Sequence, residues 1–133
     1  MSSQPGTGRP FGVVVVDDDP MARRIAKICL SFDESFEVVG EAASGEEAIL
    51  VTALAQPDVV LLDLEMPGMD GLTAIPGIRA AAPNAKIAVL SSFPDPYTLS
   101  DALHKGADTY LDKAMELSTL AEVLRALTEP QAT

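Results

Sequence analysis

The chain has 133 residues, enough for one domain with a full hydrophobic core that needs neither disulfides nor structural metal. Twenty acidic against nine basic residues give a formal charge of −11, which opposes a polyanion and argues against direct nucleic-acid binding. The lone cysteine, Cys29, excludes an intramolecular disulfide. No apolar stretch is long enough to span a bilayer, and the opening residues Met1 to Gly6 lack a signal pattern, so a cytoplasmic location without membrane contact is expected.

Residues 1–10 read as a disordered tail, 11–128 as a single domain and 129–133 as a second tail. The first strand spans 11–17. Asp19 caps and Pro20 opens a helix to about residue 32, whose apolar positions Met21, Ile25, Ile28, Cys29 and Phe32 recur at helical spacing, with Cys29 expected in the core. A second strand covers 36–42. Ser44 and Glu47 form a capping-box signal for the second helix, which Pro57 closes. The third strand, 58–63, leads to a helix after Gly71 that reaches about Ala82, where Pro76 and Gly77 predict a kink or a late start. The fourth strand, 86–90, ends at Ser91 and Ser92. A helix over 95–105 stops at Gly106, a fifth strand covers 107–111, and a last helix over 116–128 turns Leu117, Leu120, Ala121 and Leu124 inward. Five strand–helix alternations indicate an α/β fold with a parallel sheet covered on both faces.

An open parallel sheet binds ligands beyond the carboxyl ends of its strands, where the winding reverses. In the strand order 2-1-3-4-5 that point lies between the first and third strands, which end in Asp17-Asp18 and Asp63. The fourth and fifth strands bring Ser91 and Lys113 to the same rim. Clustered carboxylates call for raised pKa values or a bound cation. Oxygen donors with room for water suit Mg²⁺, and such a site fits a phosphoryl group, with Asp63 as the in-line nucleophile.

Four segments carry a resemblance: Val15 to Pro20, Leu61 to Gly71, Val89 to Ser92 and Gly106 to Lys113. With 28 residues from Asp63 to Ser91 and 22 from Ser91 to Lys113, the chain resembles a response-regulator receiver domain of two-component signalling over residues 11–128. The resemblance implies a flavodoxin-like (βα)5 fold. It implies that Asp63 accepts a phosphoryl group from a sensor histidine kinase or histidine phosphotransfer protein. Asp17, Asp18, Asp63 and the backbone carbonyl of Glu65 would hold Mg²⁺, Ser91 and Lys113 would contact the phosphoryl oxygens, and Ser91 and Tyr110 would form the switch. The Asp-Asp-Asp-Pro opening, the Leu-Ser-Ser-Phe segment and Ala114 after Lys113 lean toward receivers of NarL/FixJ transcription factors. A stand-alone receiver and the receiver part of a longer regulator both stay open.

Blander roles weigh against several residues. Asp19 reads as a helix cap, Met66 and Met69 as packing beneath the loop, and His104 as a helix-terminal residue that meets the dipole, not a phosphate carrier. Arg23, Arg24 and Lys27 read as a solvated face, with docking kept as the sharper alternative. Val123 and Leu127 widen the apolar stripe of the last helix and mark a partner or homodimer surface. Rival functions are a phosphorylation-independent binding module and a Mg²⁺-dependent phosphatase with an aspartyl nucleophile. Stoichiometric labelling, not turnover, is expected, so the chain is read as no enzyme.

Overall fold

In the computed structural model the described residues are 9–66, 68, 70–92, 95–114 and 117–128, with the side chains of 117 and 118 set aside. The expectations for residues 1–8 of the first tail, for the second tail, for Met69 and for the Leu117 side chain lie outside that set.

The chain alternates β1 (Phe11–Val16), α1 (Pro20–Ser31), β2 (Phe36–Ala42), α2 (Gly45–Ala55), β3 (Val59–Asp63), α3 (Gly71–Ala81), β4 (Lys86–Ser91), α4 (Pro96–Lys105), β5 (Thr109–Asp112) and α5 (Leu117–Thr128). All paired strands are parallel, in the order β2-β1-β3-β4-β5. The expected α/β architecture and strand order are therefore present. Because side chains alternate across a strand, neighbouring residues serve opposite layers. Val14, Val16, Val60, Leu62, Ile87 and Val89 pack with residues of α2, α3 and α4, such as Ala48, Ile75, Ile78 and Ala102. Val13, Val15, Val59, Leu61 and Ala88 pack with Leu30, Leu120 and Leu124 from α1 and α5. Each fully buried Val or Leu contributes about 1.5–3 kcal/mol of transfer free energy, and β1 and β3 are buried on both faces.

Caps set where the helices begin. Asp19, Ser44, Asp70 and Asp95 each accept a backbone N–H of the first turn, from Met21, Glu47, Thr73 and Thr98 respectively. The Glu47 carboxylate reaches back one residue beyond the cap and accepts from Ala43 N at 2.6 Å, a variant of the expected capping box.

Two expectations need correction and a third is narrowed. The inner side of α1 is formed by Ala26 and Leu30, while Met21, Ile25, Ile28 and Phe32 are exposed and Cys29 is half-buried. The helix α3 starts at Gly71 and runs through Pro76, which removes the late start from the two outcomes expected there. Pro76 is exposed, and Gly77 faces α2: a Cβ there would stand 2.6 Å from Ile49 Cδ1, so glycine permits the close approach of α2 and α3. The strand β5 begins at Thr109, not 107, because the Ala107 amide is taken by the Ala102 carbonyl at the end of α4 (3.0 Å).

Candidate functional site

The sheet register builds the site. Val16 of β1 lies opposite Leu62 of β3, so Asp17 and Asp63 are the next residues of two adjacent strands. Asp63 lies opposite Leu90 of β4, and Ser91 opposite Asp112 of β5. The Lys113 amide donates to the Ser91 carbonyl at 2.9 Å and extends the ladder by one residue. Asp17, Asp18, Asp63, Ser91 and Lys113 thus meet at one rim because four parallel strands end together.

Carboxylate oxygens of Asp17, Asp18 and Asp63 lie within 4.8 Å of one another. Asp17 and Asp63 are buried, whereas Asp18 is exposed. Lys113 Nζ is 2.9 Å from Asp63 Oδ1 and 3.4 Å from Asp17 Oδ2. The Glu65 amide also donates to Asp63 Oδ1, at 3.0 Å. Arg23 supports Asp17 from behind, donating to its backbone carbonyl at 2.6 Å and to Glu41 Oε1 at 3.1 Å. Lys27 pairs with the same Glu41, so two members of the basic cluster on α1 are tied to β2. Asp19 is a cap, as expected, and Met66 is buried packing.

Burial pushes the Asp63 carboxyl up from 3.8 to about 6, against the lowering by Lys113 and the Glu65 amide, and the Asp17 charge adds to the rise. Burial works against the Lys113 ammonium, but its contacts with Asp63 and Asp17 prevail and raise its pKa. These groups form a charge-imbalanced pocket in which carboxylates outnumber the ammonium that touches them. Hard oxygen donors at this spacing fit a small divalent cation, which would relieve the imbalance.

The side chain of Glu65 is the part that sequence reasoning missed. Ser91 Oγ donates to Glu65 Oε2 at 2.5 Å, and the Ser92 amide donates to Oε1 at 3.0 Å and Oε2 at 3.2 Å. Burial opposes ionisation of Glu65, yet the bonds from Ser91 and Ser92 outweigh it and hold the carboxyl below its usual range. No local pattern signals a contact between loops 26 residues apart. Tyr110 is half-buried against the α2–α4 layer, and its buried hydroxyl has no hydrogen-bond partner among the described residues. Leu127 packs partly into the α1–α5 layer, and Val123 is half-buried beside it on the helix.

Residues 13–125 match the response regulator receiver domain family. The chain belongs to that family. As a receiver domain it is 41% identical over 120 residues to a nitrate/nitrite response regulator protein homolog of Haemophilus influenzae, covering 88% of this chain and 56% of the relative. The chain therefore spans little more than half the length of that relative. Its fold matches the receiver domain of the putative response regulator NarL from Mycobacterium tuberculosis, with a TM-score of 0.86 and 31% identity over 92% of this chain and 99% of that one. It also matches a chain of the CheX–CheY–BeF3–Mg complex from Borrelia burgdorferi, with a TM-score of 0.87 and 29% identity over 96% of each. The NarL-like leaning of the sequence and the receiver fold are thereby established. Among the described residues, no helix of this receiver is long and apolar enough to cross a membrane.

Proposed function

We propose that this receiver domain is a phosphorylation-activated switch and that Asp63 is its phosphoacceptor. The observation that carries the reading is the buried Asp63 carboxylate, held by Lys113 at 2.9 Å within a carboxylate cluster fit for a divalent cation. Asp63 attacks the phosphorus of a phosphohistidine on a sensor histidine kinase or a histidine phosphotransfer protein. The Asp63 O–P bond forms as the P–N bond breaks, and the imidazole leaves with the electron pair. Asp17, Asp18, Asp63 and the Glu65 backbone carbonyl would hold Mg²⁺, which when bound neutralises charge on the transferring group. Lys113 and Ser91 then contact the phosphoryl oxygens, and Tyr110 follows Ser91 as it moves. The reaction is stoichiometric, so the chain is a signalling protein of the cytoplasm and not a turnover enzyme. A homodimer contact through Val123 and Leu127 on α5 is a further part of the reading.

Intact-mass spectrometry after incubation with acetyl phosphate tests it. One phosphoryl group is expected on the natural chain with Mg²⁺, and none with chelator or in Asp63→Ala. Absence of labelling under conditions that label a control receiver overturns the reading in favour of a phosphorylation-independent binding module. Repeated turnover of a phosphate ester overturns it in favour of a hydrolase. Sedimentation over a concentration series checks the dimer; a labelled chain that stays monomeric removes that part alone.

A further inference from the structure

We propose that the Glu65 side chain is a latch that holds Ser91 in its resting position and so sets how readily the switch turns on. The inference rests on the phosphoacceptor reading and assigns the side chain a role separate from the backbone carbonyl of the same residue.

A serine hydroxyl has one proton to donate. Here Ser91 gives that proton to Glu65 Oε2 at 2.5 Å, and the Ser92 amide donates to both oxygens of the same carboxylate at 3.0 and 3.2 Å. While this arrangement stands, Ser91 cannot donate to a phosphoryl oxygen on Asp63. Activation is therefore an exchange of one charge-assisted acceptor for another, not the capture of an idle hydroxyl. The geometry of the loop makes the exchange sharp. The Glu65 amide donates to Asp63 Oδ1 at 3.0 Å, so the backbone of the latch residue is fixed to the phosphoacceptor itself. Behind it the turn is closed by Gly71, where a Cβ would stand 2.5 Å from the Asp63 carbonyl oxygen. The Glu65 carboxylate is thus anchored at its own end and reaches across to the end of β4. Ser91 is nearly inaccessible, at 2% exposure, so water does not readily substitute for Glu65 as its partner.

Beryllofluoride affinity, measured calorimetrically with saturating Mg²⁺ on the full chain, reads the latch. Glu65→Asp keeps the charge but is one methylene too short to reach Ser91, and Glu65→Ala removes both charge and acceptor. Both are expected to bind roughly tenfold more tightly than the natural chain, the equivalent of losing one hydrogen bond to a charged group. Glu65→Gln keeps a neutral acceptor oxygen within reach of Ser91 and Ser92 but loses the charge assistance, and its affinity is expected to rise only about threefold. In resting protein, the Ser92 amide resonance should move in Glu65→Asp and Glu65→Ala but little in Glu65→Gln, which a role confined to charge repulsion would not produce. Tighter binding by Glu65→Gln and Glu65→Ala together, with Glu65→Asp unchanged, overturns the latch in favour of charge repulsion. Binding by the natural chain that all three variants leave unaltered, or weaken, overturns it as well. If neither the natural chain nor any variant binds, the phosphoacceptor reading falls and the latch falls with it.

Discussion

Aspartates stand at both ends of the sheet, and the two ends use them in opposite ways. Before the strands, each acid has its own local partners. Asp33, ahead of β2, is paired with Arg125 of α5 and accepts from Ser35 N at 2.8 Å. Asp58, ahead of β3, accepts from Gly12 N at 2.8 Å and Arg9 at 3.3 Å. Asp108, ahead of β5, accepts from Ile87 N and from Arg79, at 2.8 and 2.7 Å. After the strands, Asp17 and Asp63 share Lys113, with Asp18 close by. The first arrangement closes hydrogen bonds and locks elements together. The second leaves charge uncompensated in a buried place, which is the property a cation-dependent phosphoryl site requires.

The comparison breaks most visibly at Arg79. Its guanidinium donates to the carbonyls of Pro83, Ala85 and Gly106 as well as to Asp108, joining α3, β4 and the end of α4. Arg79→Ala is expected to lower stability by about 2–4 kcal/mol, since it strands several acceptors and one carboxylate. Urea denaturation would read this, and labelling of the variant in its folded range should be unchanged. An effect below about 1 kcal/mol would mean that the amino-end pairs are ornamental.

At the other end the sign reverses. The unfolded chain ionises Asp63 near 3.8 and the metal-free fold near 6. Between those values the fold holds the extra proton, so stability falls as pH rises through the window and stays reduced above it. Asp63→Asn removes that penalty. The variant is expected to be about 1–3 kcal/mol more stable than the natural chain at pH 7 without metal, and equal to it below the window. Loss of the Lys113 partner brings the figure toward the lower end. Denaturation midpoints at several pH values decide the matter, and a destabilised Asp63→Asn would contradict the view of the site as strained by charge.

A cation should act in the same direction as that substitution. At tenfold excess over its Kd, Mg²⁺ is expected to stabilise the natural chain by about 1.4 kcal/mol and to do so measurably less in Asp18→Asn. Thermal shifts across a Mg²⁺ series, with Ca²⁺ alongside, would sharpen the assignment of the cluster. The smallest effect belongs to a half-exposed pair within one helix. Lys105 and Asp101 lie 2.7 Å apart at i, i+4 on α4, and Lys105→Ala should cost only about 0.3–0.5 kcal/mol. A cost near that of Arg79→Ala would erase the distinction between pairs that join elements and pairs that decorate one.

Much of this was legible beforehand because strand tips are local features. Four apolar residues followed by an aspartate state both the burial of β3 and the exit of its carboxylate, and the order 2-1-3-4-5 then brings Asp17, Asp63, Ser91 and Lys113 together. What resisted reading depends on partners distant in the chain. Periodicity placed Met21, Ile25 and Ile28 on a common stripe but could not say that α1 would bury the adjacent stripe of Ala26 and Leu30 instead. Nor could proline statistics choose between a kink and a late start at Pro76; α3 begins at Gly71 and carries Pro76 on its solvent side, with close packing at Gly77. The Glu65 contact with Ser91 spans two loops and has no pattern to betray it.

If Asp63 is the phosphoacceptor, the parallel register makes phosphoryl acceptance a report on the integrity of the sheet from β1 to β5. Asp17 follows the first strand, Asp63 ends the third, Ser91 ends the fourth and Lys113 comes just after the last. No contiguous piece shorter than residues 17–113 contains the complete set. A nascent chain halted before β5 would hold the acids and the serine without the ammonium that joins them. On the proposed reading, competence to signal arrives with Lys113, just past the final strand, so a copy truncated before it would lack a working acceptor site.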